Sequence, residues 1–391
     1  MSIVTRSFLQ SKFRKYYKEA ELEVPPGLES REWGFILFDD TGMRRHKSYL
    51  NQSELVDYVR SMVPAHIYHS AAYYQRPGAP TMKEKGWTGA DLIFDLDADH
   101  LRDAPRSYSS MLDLVKKETL KLLTYLSCDF GFSDKNISIV FSGGRGYHIH
   151  VRDQRVLNLE SDERREILDY LTGRGLDIGK LRFKIVVTGD VGDERVLALR
   201  CPHENSSGWG GRFNSAILRF AEEIRGRSED EALKELTKIR GIGKVRASEF
   251  YKSLKNDRVL NDLRVGNLDS LKGVQDIWPY IINNHLADQF VQVLGGETDE
   301  PVTADIRRLI RCPGSLHGGS GFRVTPLTIE ALEEFDPLWD SVVFGDEIIP
   351  LEVIKPFSTE IRGEKYNLTE GRTELPACAA VFLMARGAAE L

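Results

Sequence analysis

The chain has 391 residues, 41% hydrophobic and 29% charged, which is enough apolar material for a sizeable core and excludes wholesale disorder. The net charge of −6, from 53 basic and 59 acidic residues, excludes a binder that coats nucleic acid by bulk charge, though not an enzyme with local basic patches. The longest apolar run, Ala377 to Ala385, falls well short of the roughly 18 residues that a spanning helix needs.

At roughly 150 residues per domain, the length allows two or three domains, or one core with an insertion. The first residues carry no signal-type apolar stretch, so a cytoplasmic protein with no membrane association is expected. The four cysteines, at 128, 201, 312 and 378, form no closely spaced zinc pair.

Residues 6 to 18 interleave Arg6, Lys12, Arg14, Lys15 and Lys18 with Phe8, Phe13, Tyr16 and Tyr17. The spacing predicts an amphipathic helix, either a solvated basic face over packed aromatics or a contact for an acidic polymer. Arg31 to Phe38 reads as a strand, Asp39 to Gly42 as a turn, and Met43 to Tyr49 as a returning strand. Leu92 to Asp97 is a strand, and Ser110 to Leu126 a helix with apolar residues at helical spacing. Ile137 to Phe141 and Tyr147 to Val151 are strands separated by a glycine-rich break, and Ser161 to Leu171 is a charged helix. From 206 to 289 the texture turns helical and charged. Within it, residues 238 to 258 hold seven basic side chains against Glu249 and Asp257. The α/β pattern then returns: Thr303 to Arg311 is expected as a short basic helix, Phe322 to Val324 as a strand, and Pro376 to Arg386 as a final helix. The expected organisation is a core over 1–205, a helical insertion over 206–289, and the rest of the core over 290–391.

Three segments carry chemistry. In Asp91-Leu92-Ile93-Phe94-Asp95-Leu96-Asp97-Ala98-Asp99, strand alternation turns Asp95 and Asp97 to one face, with Cα atoms about 6.6 Å apart. Two carboxylates so placed repel unless a cation lies between them, and hard oxygen donors suit Mg²⁺ or Mn²⁺. Two solvated acids at a strand end is the competing reading. In Ser142-Gly143-Gly144-Arg145-Gly146-Tyr147-His148, glycines let backbone approach an anion, and Arg145 offers a bidentate fork for phosphate. A tight structural hairpin is the alternative. In the third, Asp299 precedes Arg307, Arg308 and Arg311 and then Ser315-Leu316-His317. Asp299 is a candidate third metal ligand, and Arg311 and His317 are candidate triphosphate contacts. A surface basic helix would account for the same residues. Walker A, nucleophile-elbow and dinucleotide-binding fingerprints are all missing from the sequence.

These three segments, in this order, resemble the catalytic small subunit of archaeal and eukaryotic-type DNA primase. Arg31-Glu32-Trp33-Gly34-Phe35, Arg45-His46-Lys47-Ser48-Tyr49, Lys85 to Asp91 and Ala379 to Met384 extend the resemblance from about residue 8 to 388. It implies an α/β fold, a primase-type catalytic core of mixed sheets and helices with a mostly helical insertion. It further implies that Asp95, Asp97 and Asp299 hold divalent metal, Mg²⁺ or Mn²⁺. Ser142, Gly143, Arg145, His148, Arg311 and His317 would contact the incoming nucleotide's phosphates, and Glu32 and Arg45 would lie near the initiating nucleotide. The implied activity is synthesis of short RNA or DNA primers on a single-stranded DNA template from NTPs or dNTPs, during replication. The implied partner is a large primase subunit in a heterodimer. Many relatives carry a cysteine-rich zinc site after the acidic strand. Here residues 98 to 136 hold only Cys128 and His100, so zinc is not expected there. A repair-type polymerase of the same superfamily, a DxD phosphatase or sugar-nucleotide transferase, and a non-enzymatic nucleic-acid-binding module stay open as alternatives. Gly241-Ile242-Gly243-Lys244 in the insertion is reminiscent of a helix-hairpin-helix.

Overall fold

The computed structural model describes residues 1–100, 105, 107–181, 183–188, 195–271, 276–286 and 300–391. They fall into two compact units. The first comprises Met1–Leu123, Phe132–Leu168 and Glu297–Leu391, and the second Thr124–Gly131 and Asp169–Gly296. Mixed helices and small antiparallel sheets make this the α/β architecture expected.

In the first unit the opening helix, Ile3–Glu19, starts at Ser2, whose hydroxyl accepts the Thr5 amide. Thr5, Leu9, Phe13 and Tyr17 repeat every fourth residue and are its buried stripe. Phe13 and Tyr17 pack with Trp33, Phe35, Leu55, Val59 and Ile67 into one apolar core. That core lies against a four-stranded antiparallel sheet ordered Leu309–Arg311, His66–Ser70, Trp33–Ile36, Arg44–Lys47.

A second four-stranded sheet is ordered Thr325–Leu327, Ile137–Phe141, Gly146–Val151, Leu92–Asp97. Its acidic strand pairs antiparallel with the strand after the glycine turn, setting Asp95 opposite His148 and Asp97 opposite Gly146. Leu92, Phe94 and Leu96 are buried, as alternation requires, while Asp95 and Asp97 stay half-buried. Between the two sheets, Ile93 packs with Ala71, Val302 and Ile310.

One expected element differs. Thr303 to Arg311 is not a continuous helix: a short helix, Glu300–Ala304, gives way to a turn at Asp305, and Leu309–Arg311 joins the first sheet. Asp305 accepts the Arg307 amide, and Ile310 gains burial by pairing opposite His69. Arg307 and Arg311 therefore share no helix face.

The second unit is a hairpin, Phe183–Thr188 with Arg195–Arg200, and a set of helices that includes Gly208–Gly226, Glu229–Leu236, Lys244–Leu254 and Asp257–Arg264. Among the described residues no helix is long and apolar enough to cross a membrane.

Candidate functional site

The glycine turn between the two inner strands is built for close approach. Gly143 has φ +74°, and a Cβ there would lie 2.7 Å from the His317 Cβ. A Cβ at Gly146 would lie 2.0 Å from the Leu96 carbonyl oxygen, so only glycine lets this strand run against the acidic one. Ser142 organises the turn: its hydroxyl accepts the amides of Gly144 and Gly146, both at 3.3 Å. Those two amides are therefore engaged inside the turn. Tyr108 donates its hydroxyl to the Gly144 carbonyl and fixes the turn from outside.

A cavity of about 400 Å³ opens over this turn. Asp95, Asp97, Ser142, Arg145, His148, Arg311 and His317 all line it, although they come from three separate segments of the chain. The Asp95 carboxylate lies 3.5 Å from His148 Nε2, and Asp97 lies 3.8 Å from Arg145 Nε. Arg145 also forms an ion pair with Asp99. Asp97 in addition accepts the Asp99 amide at 3.0 Å.

Arg311 is aimed by His66. The guanidinium donates to His66 Nδ1 at 2.6 Å, the Gly318 amide donates to the same nitrogen at 3.2 Å, and the Tyr68 ring lies 5.1 Å away. A nitrogen that accepts two hydrogen bonds carries no proton. Burial, then the Arg311 charge, accordingly pushes His66 down to about 3. His148 is pushed down to about 3 by the same two causes in the same order. His317 is held well below the usual histidine range by burial first and then by Arg311. Its Nδ1 accepts the Gly319 amide at 3.1 Å, which leaves its Nε2–H to donate. The site thus combines neutral imidazole donors, fixed guanidinium charge and two half-exposed carboxylates, a set matched to a phosphate-bearing ligand.

Two expected residues lie together but do not line this cavity. Glu32 is fully buried on the first sheet, accepts two bonds from Arg45 at 3.0 and 3.3 Å, and lies 3.5 Å from the buried Lys85 ammonium. Burial raises its pKa, but the Arg45 bonds, the His46 amide and Lys85 outweigh that and leave it lowered. Arg44, by contrast, pairs with Asp40. Asp299 lies outside the described residues. Tyr68, Arg308 and Arg386 also line the cavity. Arg308 stands in the third segment, where the sequence gives it no role of its own, and Tyr68 is legible only from the pairing of Leu309–Arg311 with His66–Ser70.

Among the described residues no three of His, Cys, Asp and Glu converge as a metal cage. A pair of half-exposed carboxylates is nonetheless what Mg²⁺ or Mn²⁺ takes from a protein when substrate phosphates and water complete its oxygen shell. Asp95 and Asp97 fit that role.

The family model described as DNA primase small subunit matches residues 94–329. Full-length relatives are similar as well. The DNA primase small subunit PriS of Methanothrix thermoacetophila is 55% identical over 395 residues, covering 100% of both chains. That of Methanococcoides burtonii is 49% identical, covering 100% of this chain and 99% of its own. That of Methanosarcina barkeri is 45% identical, covering 99% and 96%.

Proposed function

The chain belongs to the DNA primase small subunit family, and from that premise we propose that it synthesises short primers on single-stranded DNA by nucleotidyl transfer, with NTPs as substrates and dNTPs as the alternative. The observation that carries the proposal is the cavity in which Asp95 and Asp97 face Arg145, His148, Arg311 and His317. Full-length similarity to proteins named primase small subunits argues against the phosphatase and sugar-transferase readings. It also supports assembly with a large subunit, since those names describe one half of a pair.

Asp95 and Asp97, with Asp299 as the third carboxylate, would hold divalent metal. When bound, such a metal lowers the pKa of an attacking hydroxyl and neutralises phosphate charge. The chain's own residues do the rest. Arg145 and Arg311 supply fixed positive charge beside the triphosphate, where a preorganised site gains most from it. Neutral His148 and His317 donate hydrogen bonds to phosphate oxygens without adding net charge. The Ser142 hydroxyl, whose acceptor side is engaged by the Gly144 and Gly146 amides, keeps its O–H free to donate. His66 holds the Arg311 fork in orientation, which restricts the poses open to the nucleotide.

The test is primer synthesis on single-stranded DNA with labelled NTPs and dNTPs, in Mg²⁺ and in Mn²⁺, for the protein alone and with a large subunit. Product that disappears in Asp95→Asn and Asp97→Asn is expected. Absence of product under all these conditions, or full activity in either variant, would overturn the proposal.

A further inference from the structure

Arg386 ends the C-terminal helix Ala377–Ala385, a segment remote in sequence from the other residues that line the cavity. Its side chain nevertheless lines that cavity with Asp97, Arg145 and His317. The guanidinium lies 4.6 Å from the ring centroids of both Tyr108 and Phe382. Tyr108 is the residue whose hydroxyl holds the Gly144 carbonyl, so the cation is tied to the glycine turn through one ring.

The surroundings of this cation are incomplete. Its Nε is buried and has no hydrogen-bond acceptor. Arg145 has Asp97 and Asp99 beside it, whereas among the described residues Arg386 forms no ion pair with a carboxylate. The Tyr108 hydroxyl oxygen also accepts a hydrogen bond from this guanidinium, but that neutral contact and the aromatic faces do not replace the full set of acceptors that water gave it. A partly desolvated charge without a counter-ion is costly, and the missing complement is an anion delivered from the cavity side. In a cavity already carrying Arg145 and Arg311, a polyphosphate presents enough oxygens to engage three guanidinium groups.

We infer, resting on the nucleotide site proposed above, that Arg386 is a further phosphate-binding residue, which brings the C-terminal helix into contact with the triphosphate of the incoming nucleotide. The rings of Tyr108 and Phe382 preorganise it, so that little side-chain freedom is lost on binding.

The experiment is equilibrium titration of the full-length protein with α,β-methylene-ATP and with inorganic tripolyphosphate. Arg386→Met keeps the apolar stem over the two rings and removes the charge. Affinity for both probes should fall about ten- to a hundredfold, the span of one hydrogen bond to a charged group, with the melting temperature unchanged. Arg386→Lys should recover part of the loss. Should Arg386→Met fold poorly, Arg386→Gln carries the same expectation. Wild-type affinity in a folded Arg386→Met or Arg386→Gln protein, alongside weakened binding in Arg145→Ala, would make Arg386 a structural residue and leave the nucleotide site standing. Wild-type affinity in Arg145→Ala and Arg311→Ala too would remove the nucleotide site itself, and Arg386's role with it.

Discussion

Replacing Asp91 should strongly destabilise the first unit, whereas replacing Asp95 or Asp97 should leave its stability intact and the protein inactive, although all three acids stand in one short stretch. The Asp91 carboxylate is fully buried and accepts from Arg31 at 2.8 Å, from the Tyr73 hydroxyl at 2.8 Å and from Arg152 at 3.2 Å. Arg31 is also fully buried, and its other hydrogen bonds go to the Tyr73 hydroxyl and the carbonyls of Pro26, Ser70 and Ala71. Asp91→Ala strands that guanidinium in the interior without its counter-charge, which costs about 3–5 kcal/mol. For a unit of this size each kcal/mol moves the midpoint by roughly 2–4 °C, so its melting transition should fall by about 6–20 °C. Asp91→Asn keeps the shape and one acceptor and should fall between. Asp95→Asn and Asp97→Asn relieve repulsion between two cavity-facing acids, so their melting temperatures should match or slightly exceed the wild type. Differential scanning calorimetry, paired with primer synthesis at a temperature where all variants are folded, checks both halves. An Asp91→Ala protein melting within about 2 °C of wild type would refute the reasoning, as would an Asp95→Asn protein as unstable as Asp91→Ala.

Other outcomes follow from the same geometry. Arg145→Ala and His148→Ala should each weaken nucleotide binding by about 1.5–3 kcal/mol, while affinity for single-stranded template, which is spread over many cations, barely changes in a fluorescence titration. His66→Ala should release Arg311 and raise KM for the nucleotide. His66→Asn, whose amide oxygen can replace Nδ1 as acceptor, should recover much of the loss, and equal defects in the two variants would count against orientation by that nitrogen. His66, His69, His148, His150 and His317 are all pushed down by burial first and by a neighbouring arginine second. Their folded pKa values lie below the unfolded 6.5, so the unfolded chain binds more protons in that window. The stability they contribute is complete above pH 6.5 and is lost as pH falls below it, toward about 3 for His66 and His148, at up to about 1.4 kcal/mol per pH unit for each histidine. Melting temperature should therefore begin to drop between pH 6.5 and 5, before most carboxylates titrate, and His150→Phe should flatten that slope. Elemental analysis of protein purified without added metal should find well under one zinc per chain.

What was legible in the sequence was whatever a short period encodes. Alternation puts Asp95 and Asp97 on one face of their strand, and His148 and His150 on one face of the next. The antiparallel pairing then brings Asp95 opposite His148. The glycines at 143 and 146 announced a close approach, and the structure supplies the atoms approached, His317 Cβ and the Leu96 carbonyl. Leu309–Arg311 was not legible as a strand. Three residues carry no usable period, and Arg307 and Arg311 happen to keep helical spacing. Its identity comes from pairing Arg311 with Tyr68, a contact between distant parts of the chain. His66 and Tyr68 were missed for the same reason. Arg386 was missed because a basic residue ending an apolar helix is ordinarily read as a partner for the helix dipole.

Asp91 shows where a period stops being a guide. Counting alternate residues back from Asp97 and Asp95 puts Asp91 on the cavity face, beside the two acids. The strand, however, begins at Leu92, and Asp91 is the joint between it and the strand Trp87–Ala90. Its amide donates to the Ala71 carbonyl at 3.0 Å, and its own carbonyl accepts from the buried Arg164 at 2.8 Å. Arg164 also takes the Ala90 carbonyl at 2.9 Å, so two consecutive peptide oxygens are held by one guanidinium. That clamp fixes the backbone at the joint independently of the strand's pleat, and the Asp91 side chain goes to Arg31 and Arg152 instead. An acid fixed in this way cannot be recruited to the cavity, because leaving would expose Arg31 to an unpaired interior. Placing arginine at position 164 is thus what separates a structural aspartate from two site aspartates of identical chemistry, and Arg164→Met should show it. Burial already pulls Arg164 down to about 10, so its charge is held at some expense. Methionine would fill the space and deprive the Ala90, Asp91 and Leu159 carbonyls of this donor, at about 1–3 kcal/mol for each carbonyl left unpaired. The expected result is a melting temperature lowered by several degrees, with nucleotide affinity close to wild type in the protein that remains folded. Loss of nucleotide affinity at unchanged stability would mean instead that the joint, and not the strand's own alternation, aims Asp95 and Asp97.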